Sequence, residues 1–293
     1  AGIMIHAGSE SLFYTGDVCF HDQTLLKSAR FQDLRPDVLI METTRGNRVT
    51  PPGFSRESEI QRLTESIQKV LARRGSVLMP AFALGRTQEI LAQLALMMRA
   101  GQIPRQPIYI GGLGKVFTGT YDEKNYMTNR HLAGLTLSEE LQLIVLEKEQ
   151  LDTIKLGGGR IFVLTAGMLT ECTPAHDLAL RMMSDERQGI FFVGYADPGT
   201  PGGRLKASKL GETFVFSASA GEVTRHCEVQ EFDLTAHANR EALLDFACNL
   251  SPRAILLGHG EADSRQWFED QIRARQPQIK IIQPAPGLAV NHC

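Results

Sequence analysis

Short apolar runs of strand length recur along this chain, separated by stretches whose apolar residues return at helical spacing. The runs are Leu12 to Tyr14, Val38 to Met41, Val77 to Met79, Ile108 to Ile110, Ile161 to Leu164, Ile190 to Val193, Ala254 to Leu257 and Lys280 to Ile282. Each is bounded by turn formers. Between them, Ile60, Leu63, Ile67, Val70 and Leu71 cover one helical face, with Ser55 placed as its N-cap. A second helix is expected after Gly85, carrying Ile90, Leu91, Leu94 and Met98, and a third after Asn239, carrying Leu243, Leu244 and Ala247. Strands alternating with helices specify an α/β fold. The middle of the chain holds its own run of alternating elements, bracketed by segments whose chemistry belongs together. An inserted domain is therefore expected, dividing the chain into 1–45, 46–225 and 226–293.

Composition narrows the class. The 293 residues are 43% hydrophobic and 22% charged, which excludes a disordered tail, a collagen-like repeat and a coiled coil. The formal net charge is −2, so a polyanionic partner would be held by local basic groups rather than drawn by a long-range field. Five scattered cysteines, Cys19, Cys172, Cys227, Cys248 and Cys293, include no C-x-x-C pair. That spacing argues against a disulfide framework or a zinc knuckle. No apolar run reaches membrane-spanning length, so no membrane association and a cytoplasmic location are the expectations. Ala1 opens an apolar stretch, Ala1-Gly2-Ile3-Met4-Ile5. The expectation from this is a chain that starts inside a fold.

Four polar groups follow apolar strands: Asp17 in Tyr14-Thr15-Gly16-Asp17, Glu42 in Leu39-Ile40-Met41-Glu42, His237 in Leu234-Thr235-Ala236-His237, and His259 in Leu257-Gly258-His259-Gly260-Glu261. In open α/β sheets such strand ends are where ligands gather. One such residue alone is usually a turn former or a solvated cap. Gly258 and Gly260 around His259 additionally suggest a close backbone approach. Other candidates are weaker. Gly111-Gly112-Leu113-Gly114-Lys115-Val116 lacks the first glycine and the final Ser or Thr of a phosphate-binding loop and reads as a strand followed by a flexible turn. Pro198 to Gly203 is the densest turn cluster. Cys19 and His21 lack further ligands nearby, and His6, His131, His176, His226 and His292 have no evident partner in the sequence. No G-x-S-x-G elbow is present.

At these residues the chain resembles the β-CASP branch of the metallo-β-lactamase superfamily. Tyr14-Thr15-Gly16-Asp17 is similar to that family's fourth metal motif, Met41-Glu42-Thr43-Thr44 to motif A, Leu234-Thr235-Ala236-His237 to motif B and Leu257-Gly258-His259-Gly260-Glu261 to motif C. Pro80-Ala81-Phe82-Ala83-Leu84-Gly85-Arg86 and the stretch from Gly194 to Thr200 resemble parts of the β-CASP insert. Thr165-Ala166-Gly167-Met168 also resembles a family stretch, but Thr170-Glu171-Cys172 follows where small residues and glycine are usual, leaving the local backbone open. The family's H-x-H-x-D-H cluster occurs nowhere, which suggests an N-terminally truncated chain. The resemblance implies a partial αββα metallo-β-lactamase sandwich with an inserted α/β β-CASP domain.

It further implies zinc-dependent hydrolysis of RNA phosphodiesters, with two zinc ions in a full-length parent. Asp17 and His259 take the place of metal ligands, His237 that of a general acid and Glu42 that of its orienting partner. Paired metals suit this chemistry because they acidify a water and neutralise charge on the phosphoryl oxygens. The histidine of motif C resembles the RNA-directed branch. Basic groups including Arg45, Arg86, Lys115 and Arg204 are candidates for holding phosphates in the groove between domains, with solvated surface as their other role. Partners expected are RNA and, as an admissible state, a second copy of the chain. This truncated chain is expected to be poorly soluble, to bind zinc weakly and not to cut RNA. Two other functions stay open: a non-catalytic paralogue acting as an RNA-processing scaffold, and a small-molecule metallohydrolase.

Overall fold

The computed structural model describes residues 2–128, 130, 132, 134–285 and 287. His131, His292 and Cys293 lie outside the described residues. Along the chain, strands β1 (Ile3–Ala7), β2 (Glu10–Tyr14) and β3 (Val38–Glu42) come first. Then follow α1 (Arg56–Ala72), β4 (Val77–Ala81), α2 (Arg86–Arg99), β5 (Ile108–Ile110), α3 (Gly112–Glu123), α4 (Leu137–Glu140), β6 (Leu143–Val145) and β7 (Ile161–Thr165). Next are α5 (Pro174–Met183), β8 (Gly189–Phe192), α6 (Pro201–Ala207), β9 (Thr213–Ser217), β10 (Gly221–Thr224) and β11 (Glu228–Glu231). The chain continues through α7 (Arg240–Leu250), β12 (Ala254–Gly258), α8 (Ala262–Arg275) and β13 (Lys280–Ile282).

Two compact units result. The first comprises 1–23, 27–54 and 236–293, the second 24–26 and 55–235. These changeovers fall later than the 45/46 and 225/226 read from sequence, for local reasons. Asn47 N–H donates to Ser264 Oγ at 3.2 Å and Arg240 to the Gly46 carbonyl at 3.3 Å, which keeps residues 46–54 with the first unit. At the other border β11 pairs in parallel with β8 and so stays in the second. The excursion at 24–26 is held by buried Glu89, which accepts from Thr24 N–H at 2.7 Å and Leu25 N–H at 3.1 Å.

The second unit is built on a six-stranded sheet, order β11-β8-β4-β7-β5-β6, in which every pairing is parallel. Parallel sheets are covered on both faces, so their strands read as continuous apolar runs. All five residues of β4 are buried. Val77 and Met79 pack with Leu63, Ile67 and Leu94 of α1 and α2, whereas Leu78 packs with Leu178 and Met182 of α5. Pro80 is tolerated in this central strand because the ladder to β8 ends at Leu78. Val77 N–H bonds to Arg160 O on the β7 side, so by alternation the missing N–H of Pro80 faces the vacated β8 side.

The helix starts follow their capping chemistry. Ser55 and Ser58 form a reciprocal capping box at α1, and Asn239 accepts from Ala242 N–H at 2.8 Å at α7. Two expected turns instead begin helices. Thr200 caps α6 and Pro201 occupies its first turn, while a Cβ on Gly203 would lie 2.0 Å from the Asp197 carbonyl oxygen. The glycines there serve close packing rather than a turn. Gly112 likewise opens α3 directly after β5.

The first unit is a five-stranded sheet, β1-β2-β3-β12-β13, antiparallel only at β1 and β2. Phe13, Leu39, Met41, Ile255 and Leu257 point to one face and are packed by Leu243 and Leu244 of α7 and by Phe268 and Ile272 of α8. On the opposite face Ile3, Tyr14, Ile40, Leu256 and Ile282 share one row across all five strands, with Ile5, Leu12, Val38, Ala254 and Lys280 in the next. Ile3, Ile5 and Tyr14 on that face are exposed. No helix among the described residues is long and apolar enough to cross a membrane.

Four cysteines are free thiols in the described residues, and burial pushes the Cys227 thiol up to about 12. A thiol so protonated and enclosed is a poor nucleophile. Iodoacetamide labelling followed by peptide mass spectrometry should modify exposed Cys172 in the folded protein and Cys227 only after denaturation. Rapid native labelling of Cys227 would contradict this packing.

Candidate metal centre

All four sequence candidates lie in the first unit, Glu42, Asp17 and His259 at or just beyond strand ends and His237 just before a helix. Glu42 closes β3, and the register pairs it with Gly258 at the end of β12, which delivers His259 beside it. The loop after β2 carries Asp17; its Thr15 N–H bonds to the Ile40 carbonyl at 3.0 Å, fixing it to β3. His237 stands two residues before Asn239, the cap of α7, and the following Ala238 N–H donates to Val18 O at 2.6 Å. Parallel strand ends, one helix cap and one loop thus converge.

Two contacts define the geometry. Glu42 has a side chain only 1% exposed, and its Oε2 lies 2.7 Å from His237 Nδ1. Its Oε1 accepts from Val18 N–H at 2.6 Å, so both carboxylate oxygens are engaged. A buried carboxylate costs free energy unless it is hydrogen-bonded in this way. The second contact is exposed. Asp17 Oδ1 lies 3.1 Å from His259 Nδ1, with the two side chains 60% and 59% exposed. The rings of His237 and His259 are 5.8 Å apart, centroid to centroid.

His259 holds a left-handed backbone, φ 47°, rare for a residue with a side chain. The strain is locked by neighbours. Thr44 Oγ1 donates to the His259 carbonyl at 3.0 Å, and Thr43 N–H bonds the same oxygen at 3.2 Å. Of the two flanking glycines only Gly260 makes the close approach: a Cβ there would lie 2.3 Å from Thr43 Oγ1, whereas Gly258 faces open space.

One donor atom from each of Asp17, His237 and His259 lies within 4.8 Å of the others. One carboxylate and two imidazoles suit zinc and supply three of the four ligands of a tetrahedral ion. The donor set therefore fits the metal. It also puts His237 among the groups that can reach it, beyond the acid role read from sequence. No sequence spacing marks this, since His237 and His259 meet only through the fold.

Other candidates resolve differently. Arg86 is buried and donates to the Leu234 carbonyl, and Arg204 Nε donates to the Phe216 carbonyl at 3.0 Å. Arg45 is buried as well. Arg86 and Arg204 thus each serve a main-chain carbonyl, and of the four basic residues only Lys115 is exposed. Cys19 Sγ sits 3.4 Å from both ring nitrogens of His21, and no third ligand joins them in a metal-binding group among the described residues. Sequence reasoning assigned His176 no partner, yet it is buried between Asp177 Oδ1 at 2.9 Å and Ser217 Oγ at 3.0 Å. The stretch after β7 takes three left-handed non-glycine residues, Ala166, Leu169 and Cys172.

Comparison with known proteins adds names to this geometry. Residues 87–205 match the Beta-Casp domain, and residues 222–292 match the Zn-dependent metallo-hydrolase RNA specificity domain, which contains His237 and His259. The chain is 28% identical over 294 residues to cleavage and polyadenylation specificity factor subunit 3 of Dictyostelium discoideum, covering 99% of this chain and 37% of that protein. It is 30% identical over 275 residues to transcription termination factor FttA of Pyrococcus abyssi, covering 88% and 42%. With endoribonuclease YSH1 of Saccharomyces cerevisiae it shares 29% over 270 residues, covering 88% and 33%. The chain thus spans well under half the length of each of these relatives. A metallo-β-lactamase fold interrupted by a β-CASP domain accounts for the two matches and for the split first unit, and the chain belongs to that β-CASP family.

Proposed function

We propose that this chain forms part of a zinc-dependent endoribonuclease that cuts RNA phosphodiesters during RNA processing. The observation that carries the reading is the meeting of Glu42 with His237 and of Asp17 with His259 at adjoining strand ends. The names of the matched families and of the relatives support zinc, RNA and endonucleolytic cutting. Four free thiols suit a reducing compartment, and we place the protein in the cytoplasm.

Asp17 and His259 would hold the metal. Zinc, when bound, supplies Lewis acidity that activates water and offsets charge on the phosphoryl oxygens. The remaining work falls to the protein. Glu42 is fixed by Val18 N–H and holds the Nδ1 side of His237, which orients the ring and favours its protonated form. Protonated Nε2 then donates to the departing ribose oxygen. Burial of the carboxylate keeps this pairing little screened by salt, so the ring stays aimed between turnovers.

Three expectations test the reading. These 293 residues contain no H-x-H-x-D-H cluster, and three donors fall short of the set for two zinc ions. The isolated chain should therefore hold less than one zinc tightly by elemental analysis and leave a labelled RNA uncut; nearly two tightly held ions would mean that the site is misplaced. In a longer form bearing that cluster, His237→Ala should slow cleavage by about a hundredfold or more with zinc content unchanged. Loss of zinc in the variant would make His237 a ligand instead. Finally, the apolar sheet face is of the kind that drives association, and a homodimer is proposed through it. Light scattering should show a dimer that Ile5→Lys with Tyr14→Lys dissociates, and a monomeric wild type at high concentration would refute it.

A further inference from the structure

Within the second unit, the loop after β4 presents apolar side chains to solvent from an unusually well-fixed backbone. Phe82 is 41% exposed and Leu84 61%. Exposed loop residues are ordinarily held loosely, but here two fully buried polar side chains, Thr87 and Gln88, are committed to this loop. Thr87 bonds the Phe82 carbonyl through both N–H at 3.1 Å and Oγ1 at 2.8 Å. Gln88 Nε2 donates to the Ala83 carbonyl at 3.1 Å and to Thr118 Oγ1 at 3.2 Å, while its Oε1 accepts from Gly85 N–H at 2.7 Å. Arg86 N–H takes the Leu84 carbonyl at 3.1 Å. Gly85 closes the loop at φ +84°, a conformation that side chains resist.

The ring of Phe82 has a support behind it. A Cβ on Gly167, in the loop after neighbouring β7, would lie 3.3 Å from Phe82 N and 3.4 Å from its Cδ2, so the bare glycine backs the ring. On the other side of β4, the loop after β8 carries Tyr195, 40% exposed, whose hydroxyl donates to Asp197 Oδ2 at 3.3 Å. Two aromatic rings thus leave adjacent strands at the same carboxyl edge of the sheet. Burying two polar side chains to immobilise two exposed apolar ones stabilises nothing in the hydrophobic sense. It does preorganise a surface, which lowers the ordering cost of binding.

We propose that Phe82, with Tyr195 on the loop after the neighbouring strand β8, is a base-stacking platform for the single-stranded RNA substrate, a use that rests on the RNA reading above. Small, rigid aromatic faces suit nucleobases, every one of which offers a π-face. A protein partner would instead call for a broad continuous apolar patch.

The test is fluorescence anisotropy with a labelled single-stranded RNA and an abasic oligonucleotide of equal length, both in EDTA to prevent cutting. Phe82→Ala should weaken RNA binding by roughly five- to 150-fold and leave abasic binding and the melting temperature unchanged. Phe82→Trp should restore affinity, and its added emission, measured against the native Trp267 background, should be quenched by RNA. If wild type binds both oligonucleotides equally, or Phe82→Ala binds RNA as wild type does, the platform is refuted and the RNA reading survives. Equal weakening toward both oligonucleotides refutes stacking as well. A wild type that binds neither refutes both readings.

Discussion

The parallel ladder between β3 and β12 is the constraint on which the candidate site depends. Parallel strands require a crossover, usually a single helix. Here the crossover from Glu42 to Ala254 contains all of the second unit but residues 24–26, including its six-stranded sheet. The ladder's hydrogen bonds therefore bring together residues 215 apart in sequence, as Thr43 Oγ1 bonding the Gly258 carbonyl illustrates. Because register in a sheet is all or nothing, a slip by one residue would turn Glu42 to the helix-covered face and separate it from His237.

From that ladder the site is assembled by short-range bonds. Thr15 ties the Asp17 loop to β3, Glu42 ties that loop to His237 through Val18, and Thr43 and Thr44 pin the strained His259 backbone. Most of these bonds lie between main-chain groups and small hydroxyls. The geometry is thus dictated by backbone position, which explains how residues from three distant segments reach hydrogen-bonding distance without a cluster in the sequence.

Much of this was legible beforehand, and the reasons differ by element. Eight strands, β2 to β5, β7, β8, β12 and β13, announce themselves as unbroken apolar runs, and the parallel ones of the second unit do so because both their faces are buried, Val77 to Met79 among them. Ser55 was legible as a cap, and Asn239 as the residue before a helix, because side-chain oxygens have a specific task there. The starts of α3 and α6 were not, since Gly112, Gly202 and Gly203 read as turn residues, whereas Gly112 opens a helix and Gly202 and Gly203 stand where a side chain would strike the backbone of Met168 and Asp197. β6, β9, β10 and β11 were missed as well; Glu228–Glu231, for one, pairs at the sheet edge with no apolar run to mark it. Arg86 and Arg204 could not be told from surface cations, because only the fold reveals which carbonyl a guanidinium serves. The four candidates stood out by their places near strand ends or, for His237, just before a helix, but the proximity of His237 to the other two donors is a property of three dimensions alone.

The two acid–histidine contacts differ in how water reaches them. Glu42 is enclosed, whereas Asp17 and His259 are open to solvent. Mobile ions shorten the reach of an exposed pair, to about 3 Å at 1 M, and scarcely enter a dry one. Brine therefore loosens the outer contact while the inner one persists, so the two halves of this centre answer separately to the ionic medium around them.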